Sequence, residues 1–251
     1  DKWWRLNNLY WIISDQGEPV LFQCNPPQQK LFENLWWRSL ILKARQLGFT
    51  TFIDLWILDE CLFNSNLEAA IIAHRKDDAA KIFRRKIQYP FENLIPAIRD
   101  KRKPLLKDSQ EEYRFSNNSA IAVTTSARSG SLQLLHISEY GKICAKYPEK
   151  AREIKTGSIP AVGRNGVVFI ESTAEGRGGD FYEKAQEAKR IFDMGAKLTR
   201  LDFKFFFYPW FEHPHYQLDT TDIVIPRDFQ EYFDQVERET GVTLTPEQKA
   251  W

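Results

Sequence analysis

Short apolar runs alternate with amphipathic stretches along most of the chain, the pattern of strands buried in a sheet with helices laid over it. SLILK at 39–43 and AAIIA at 69–73 lack the polar alternation of a half-exposed strand, as a parallel sheet covered on both faces requires. QLLHIS at 133–138, GVVFIE at 166–171 and LDFKFFF at 201–207 bring the core strands to at least five. EYRF, the polar turn 116–119 and AIAVTT spell a hairpin over 112–125. Helical spacing predicts a helix over 26–37, opened by Asn25-Pro26, and another from Thr50, TFIDLWILDECLF, apolar nearly all round and therefore central. A third starts at Asp77-Asp78, whose carboxylates suit a helix N-terminus, and shows one apolar face of Ala79, Ile82, Phe83 and Ile87. Further helices are expected over 146–155, 179–193, 226–238 and from 246 onward, with 208–225 irregular. The predicted class is α/β.

Composition changes this picture little. Hydrophobic residues make up 43% and charged residues 27%, ordinary for a globular protein, and the aromatics (Trp3, Trp4, Trp36 and Trp37 among them) read as packing. A formal net charge of +1 gives no general attraction for nucleic acid, so a DNA partner has to be met by local patches or by an assembled ring. Cys24, Cys61 and Cys144 are far apart, with no Cys-x-x-Cys, which argues against a zinc ribbon or a disulfide scaffold and fits a reducing cytoplasm. No apolar run approaches the roughly 20 residues of a membrane span, and no signal peptide is visible. The chain opens at Asp1 and stops at Trp251 inside a helical pattern, so it reads as a piece of a longer protein.

Three segments carry candidate chemistry. Lys43-Ala44-Arg45-Gln46-Leu47-Gly48-Phe49-Thr50-Thr51 lies between a buried strand and a helix, where backbone N–H groups and the helix dipole point at an anion. The standard phosphate loop, Gly-x-x-x-x-Gly-Lys-[Ser/Thr], is matched nowhere, and Phe49 holds the usual lysine position. Lys43 or Arg45 could supply the missing cation from the start of the loop, and Thr50 stands where a hydroxyl would ligate magnesium. The strand LLHIS ends in Glu139, placed to polarise a water, with Ser138 where an Asp would face magnesium; a serine can still hold a magnesium-bound water. A third strand ends in Glu171-Ser172-Thr173-Ala174-Glu175-Gly176, whose hydroxyls could bond a γ-phosphate or its water. Each segment also has a plain reading, as an ordinary turn or strand exit.

In order and wording these pieces resemble the phage terminase large subunit, the motor that packs viral DNA, over nearly the whole chain. KARQLGFTT is similar to that family's phosphate loop with its lysine displaced to the start, LLHISEYGK to its acidic strand, ESTAEGRGGDFYE to its coupling segment and FFFYPWFEHPHY to the stretch after it. The resemblance implies an α/β P-loop NTPase of the ASCE type, with a central, mostly parallel sheet flanked by helices, that uses ATP and Mg2+. It implies an ATPase domain over 1–251, with an N-terminal segment 1–24, a core 25–207 and a segment 208–251 leading toward a nuclease domain. That nuclease half is expected to lie outside this chain, which is then expected not to cut DNA.

The resemblance also assigns roles. NPPQQ points to Gln28, with Gln29 second, for adenine recognition, and SARSGS to Arg128 as a finger acting on a neighbouring subunit, with Arg75 second. Lys43 and residues 44–51 would hold the nucleotide, Thr50 and Ser138 the magnesium, and Glu139 the attacking water. Ser172, Thr173 and Ala174 would couple hydrolysis to motion. The implied partners are double-stranded DNA, a homo-oligomeric ring on a portal and a terminase small subunit, in the host cytoplasm and with no membrane. Lys81-Arg84-Arg85-Lys86 and Arg99-Lys101-Arg102-Lys103-Lys107 are candidate phosphate-backbone contacts, although each also reads as a solvated charged face.

Other readings stay open. A two-lobed helicase would need a second set of phosphate and acidic elements, and only one is present. A nucleotide-sensing scaffold without turnover is motivated by the missing loop lysine and the missing Asp. His213 and His215 lack further ligands and read as a surface loop, and Asp202 with Glu171 lacks the third carboxylate of a nuclease site.

Overall fold

Strands of the computed structural model, which describes residues 1–102, 111–127, 130–213 and 215–251, run in chain order as β1 (Trp11–Ile13), β2 (Pro19–Leu21), β3 (Arg38–Lys43), β4 (Glu68–Ile72), β5 (Glu112–Arg114), β6 (Ala120–Thr124), β7 (Leu132–Ser138), β8 (Val162–Ser172) and β9 (Lys204–Tyr208). β1 and β2 form a small antiparallel hairpin; the other seven make one sheet in the order β5-β6-β4-β7-β8-β3-β9. The pairs β3·β8, β8·β7, β7·β4 and β4·β6 are parallel, and β5 joins β6 antiparallel through the expected hairpin.

Helices α1 (Lys2–Asn8), α2 (Pro26–Glu33), α3 (Phe49–Phe63), α4 (Lys76–Ile82), α5 (Tyr89–Glu92), α6 (Pro96–Arg99), α7 (Tyr140–Lys146), α8 (Pro148–Glu153) and α9 (Gly179–Asp193) belong with these strands. Strand periodicity sorts the core into two layers. Leu40, Ile72, Leu135, Ile137, Val168 and Ile170 pack with Tyr140 and Ile143 of α7 and Phe181 and Ala185 of α9. The alternate positions face α3, where Trp56 meets Phe169 edge-on with ring centroids 5.2 Å apart. α3 is buried along most of its length, as its all-round apolar sequence demands.

Several elements differ from the sequence expectation. α2 ends at Glu33, where Asn34 caps it and bonds back to Leu31. Instead of one helix over 146–155, α7 begins directly after Glu139, and Pro148 starts α8 by forcing Tyr147 to φ −137°. The helix from 76 passes at Phe83–Gln88 into a π-helical turn that keeps Phe83 and Ile87 buried. α1 and the β1–β2 hairpin carried too little periodicity to be read.

The chain divides into two compact units, Asp1–Phe207 and Tyr208–Trp251. In the second, α10 (Arg227–Thr240) ends at Gly241 in the left-handed region, α11 (Pro246–Ala250) starts with a Thr245–Gln248 capping box, and Phe211, Phe233 and Leu244 form a small core of their own.

Within the first unit, α1 is anchored to α3 by a buried charge. Asp59 is fully buried and accepts from Arg5 Nε at 2.9 Å, Arg5 Nη2 at 2.7 Å and Tyr10 Oη at 2.8 Å. Asp59→Ala removes one partner of this pair and should cost about 3–5 kcal/mol in urea unfolding. Asp15→Ala, at an exposed position, should stay within about 0.5 kcal/mol.

Candidate functional site

The alternation that builds the core also gathers the chemistry. Leu40 and Leu42 of β3 pack on the α7 side, so Lys43 turns to the α3 side. By the same rule His136 and Ser138 of β7, and Glu171 of β8, share that face. Ser138 pairs in register with Glu171, and Glu171 with Ile41, so three strand ends stand level at one edge of the sheet. α3 lies over them and adds Thr50 and Asp54, four residues apart on one helical face.

The turn from β3 to α3 is shaped by left-handed residues at Gln46 (φ 57°) and Gly48 (φ 73°). Gln28 grips it from below: Nε2 donates to the carbonyls of Gly48 at 3.0 Å and Leu47 at 3.4 Å, while Oε1 accepts from Asn25 N. Asn25 Nδ2 also donates to Leu47 O at 3.1 Å. A Cβ on residue 48 would fall 2.6 Å from Gln28 Nε2, so glycine is required there by space as well as by φ. Gln29 instead bonds Glu33 on the helix surface. No side chain caps α3, which leaves its first N–H groups facing the loop. Phe49 is buried, Leu47 is buried, Ala44 is half-buried, and Arg45 and Gln46 are exposed.

Lys43, by contrast, is buried and lies between two carboxylates, its Nζ 3.2 Å from Glu139 Oε1 and 3.1 Å from Glu171 Oε2. Burial works against its charge, but Glu171 and Glu139 outweigh burial and raise its pKa. Glu171, fully buried, accepts at Oε1 from Thr50 Oγ1 at 2.7 Å and from Ser138 Oγ at 2.9 Å. Burial would push its carboxyl up; Lys43 and His136 hold it well below the usual carboxylate range. Behind it His136 Nε2 lies 3.6 Å from Glu171 Oε1, and Nδ1 is 2.7 Å from Asp54 Oδ1.

Glu139 adopts φ 54°, ψ 45°, the left-handed region that a residue with a Cβ rarely enters. The turn brings its carboxylate to Lys43 and within 3.5 Å of Thr173 Oγ1. Ser172 Oγ accepts from Gly141 N at 3.0 Å, tying the end of β8 to the first turn of α7, and Ala174 is exposed in the loop toward α9.

Lys43, Thr50, Ser138, Glu139, Ser172 and Thr173 are thus brought together on three strand ends and one helix. Arg128 lies outside the described residues, as do Lys103 and Lys107. Arg75 is exposed at the start of α4 and donates to Tyr147 Oη at 3.0 Å. Lys81, Arg84 and Arg85 are exposed, but Lys86 turns inward and donates to Thr51 Oγ1 at 2.7 Å. Arg99 pairs with Asp100, and Arg102 bonds the carbonyl of Leu62. Asp54, His136 and Glu171 were missed as site residues from sequence. The i, i+2 relation of His136 to Ser138 and the i, i+4 relation of Thr50 to Asp54 were the available signals.

The donors that converge here, Thr50, Ser138, Glu139 and Glu171, are all oxygen, which suits a magnesium ion that also takes phosphate and water ligands. Among the described residues no group of three or more His, Cys, Asp or Glu is placed to hold a metal alone, and none of the helices is long and apolar enough to cross a membrane.

The seven-stranded, mostly parallel sheet, in which β8 separates β3 from β7 and helices cover both faces, is an α/β fold. More narrowly, the fold matches phage large-terminase ATPase domains over most of the chain. The ATPase domain of the Thermus phage P74-26 large terminase superposes with a TM-score of 0.53 at 15% identity, over 86% of this chain and 88% of that one. A point variant of the same domain gives 0.54 at 16%, over 86% and 89%. The HK97 bacteriophage large terminase gives 0.61 at 16% over 98% of this chain, which spans about half (49%) of its length. No protein-family model matches the sequence, and no curated protein matches it.

The buried imidazole makes one measurable statement about pH. Burial by itself would lower the His136 pKa, but Asp54 and Glu171 raise it to about 9. Between roughly pH 6.5, the value of an unfolded histidine, and about 9, the folded chain keeps a proton that the unfolded chain has lost. Stability from this group is therefore full below that window and falls as pH rises through it, by up to about 1.4 kcal/mol per pH unit. Unfolding free energies measured from pH 6 to 10 should show this decline, and His136→Gln should remove it.

Proposed function

We propose that the chain is an ATP-hydrolysing motor domain that drives double-stranded DNA into a viral procapsid. In this reading it works in the host cytoplasm as one member of a homo-oligomeric ring on a portal, with a terminase small subunit as a further partner. The observation that carries the reading is the convergence of Lys43, Thr50 and Glu139 from three separate elements beside an uncapped helix N-terminus.

Backbone amides of residues 44–50 and the α3 N-terminus bind the phosphates. In this reading Lys43, buried beside Glu139, exchanges that carboxylate for the β/γ oxygens in preference to the exposed Arg45. Glu139, released from Lys43, orients the attacking water and takes its proton. Thr50 and Ser138 would hold Mg2+ or its water, and the ion would supply charge neutralisation on the phosphates. Gln28, whose amide grips the loop carbonyls, couples base recognition to loop shape. Thr173, beside Glu139, and Ser172, bonded to α7, pass the loss of the γ-phosphate along Ala174 toward α9. Arg128 from a neighbouring copy stabilises the transferring phosphoryl group. Exposed Lys81, Arg84, Arg85 and Lys101, half-buried Arg99 and Arg102, and Lys103 and Lys107 are the candidates for the DNA backbone.

ATP turnover measured against protein concentration tests this. Specific activity should rise steeply with concentration and with added DNA. Glu139→Gln should still bind nucleotide while losing about 10²–10⁴-fold in turnover. Arg128→Ala should lose about 10³–10⁵-fold; activity indifferent to it would move the finger to Arg75. Binding without turnover at any concentration would favour the nucleotide-sensing scaffold.

A further inference from the structure

In the nucleotide reading, position 138 faces the divalent cation, and serine brings no charge there. One strand nearer the phosphate loop, level with Ser138 in the sheet register, stands Glu171. It points to the same side of the sheet and is fully buried. We propose, resting on that nucleotide reading, that Glu171 is the carboxylate that completes the divalent-cation site, supplying from β8 the charge that β7 lacks.

The hydrogen bonds carry the case. A hydroxyl that ligates a cation uses an oxygen lone pair, so its proton has to go to an acceptor elsewhere. Glu171 Oε1 is that acceptor for both hydroxyls at the site, Thr50 at 2.7 Å and Ser138 at 2.9 Å. Both oxygens are thereby left with lone pairs free for the ion or its water. A simple counter-ion for Lys43 would not need this arrangement, because Glu139 already lies 3.2 Å from the ammonium. Glu171 Oε2 sits 3.1 Å from Lys43 Nζ yet receives no hydrogen bond of good geometry, so it has acceptor capacity to spare. When Lys43 turns to phosphate, the carboxylate is left beside the two hydroxyls. Its place is held from behind by His136, itself held by Asp54. Glu171 is a positioning residue that acts on the cation through Thr50, Ser138 and water.

The test is titration of a fluorescent ATP analogue, with EDTA and with Mg2+, into the chain, Glu171→Gln and Glu171→Gln/Ser138→Asp. The parent chain should bind more tightly with Mg2+. Glu171→Gln should keep its binding in EDTA and lose about 10–100-fold of the Mg2+-dependent gain, the usual cost of removing an outer partner of a metal site. The double variant, with the carboxylate moved to β7, should recover most of that gain, which a loss of packing alone would not allow. Equal Mg2+ dependence in the parent chain and Glu171→Gln overturns the proposal. Absence of all nucleotide binding by the parent chain overturns the ATPase reading and this proposal with it, a result distinct from binding that ignores Glu171. Should Glu171→Gln not fold, a crystal of the parent chain with nucleotide and Mn2+ decides. The metal is expected about 4–5 Å from a Glu171 oxygen, one metal–water bond plus one hydrogen bond, and Glu171 turned away from both hydroxyls refutes it.

Discussion

Lys43 and Glu171 face each other 3.1 Å apart at the carboxyl ends of neighbouring strands, both withdrawn from water. Removing an ion from water costs several kcal/mol, and mutual attraction offsets that only if the remaining lone pairs and protons find partners. Thr50 from α3 and Ser138 from β7 bond Glu171 Oε1, and Glu139 from the turn after β7 bonds Lys43, while His136 approaches Oε1 only as a charge at 3.6 Å and Oε2 takes no hydrogen bond of good geometry. The pair therefore ties the register of β3, β7 and β8 to the placement of α3. A one-residue slip of β8 would turn Glu171 into the apolar layer under α7 and leave Lys43 with half its counter-charge.

The same edge stores backbone strain. Gln46, Gly48 and Glu139 all occupy the left-handed region, two in the turn from β3 to α3 and one at the acidic strand end. Non-glycine residues there cost of order 1–3 kcal/mol and persist where their surroundings over-determine them. Around Gly48 the surroundings are Gln28 and Asn25, whose amides hold the loop carbonyls. At Glu139 they are Lys43 on one oxygen and Thr173 on the other. Lys43 bonds Glu139 in this arrangement, so in the proposed function the lysine's capture by a polyphosphate would also free Glu139, and binding and activation would be coupled by one shared ion pair.

Much of this was legible beforehand. The parallel core strands, the central helix after the loop, the hairpin over 112–125 and the helix over 179–193 follow from hydrophobic period alone, because burial on two faces leaves a continuous apolar run. Lys43, Thr50 and Glu139 could be singled out because strand ends followed by helices are where backbone donors collect. α7 was missed because Tyr140-Gly141-Lys142 offers weak periodicity, and its start is set by the left-handed turn at Glu139. The break at Tyr147 is a local proline effect and could have been read.

The chain's own pattern of residues determined the α/β class, the strand–loop–helix from β3 into α3 and the acidic strand end, all of which depend on neighbours within about ten positions. Tertiary structure alone decided that β8 lies between β3 and β7, that Glu171 serves Thr50 and Ser138 together, and that Asp54 and His136 stand behind it. Those partners are 33 to 121 residues apart in sequence. No periodicity reports which strand lies beside which, because that is settled by which register buries the most apolar surface while leaving no charge unpaired.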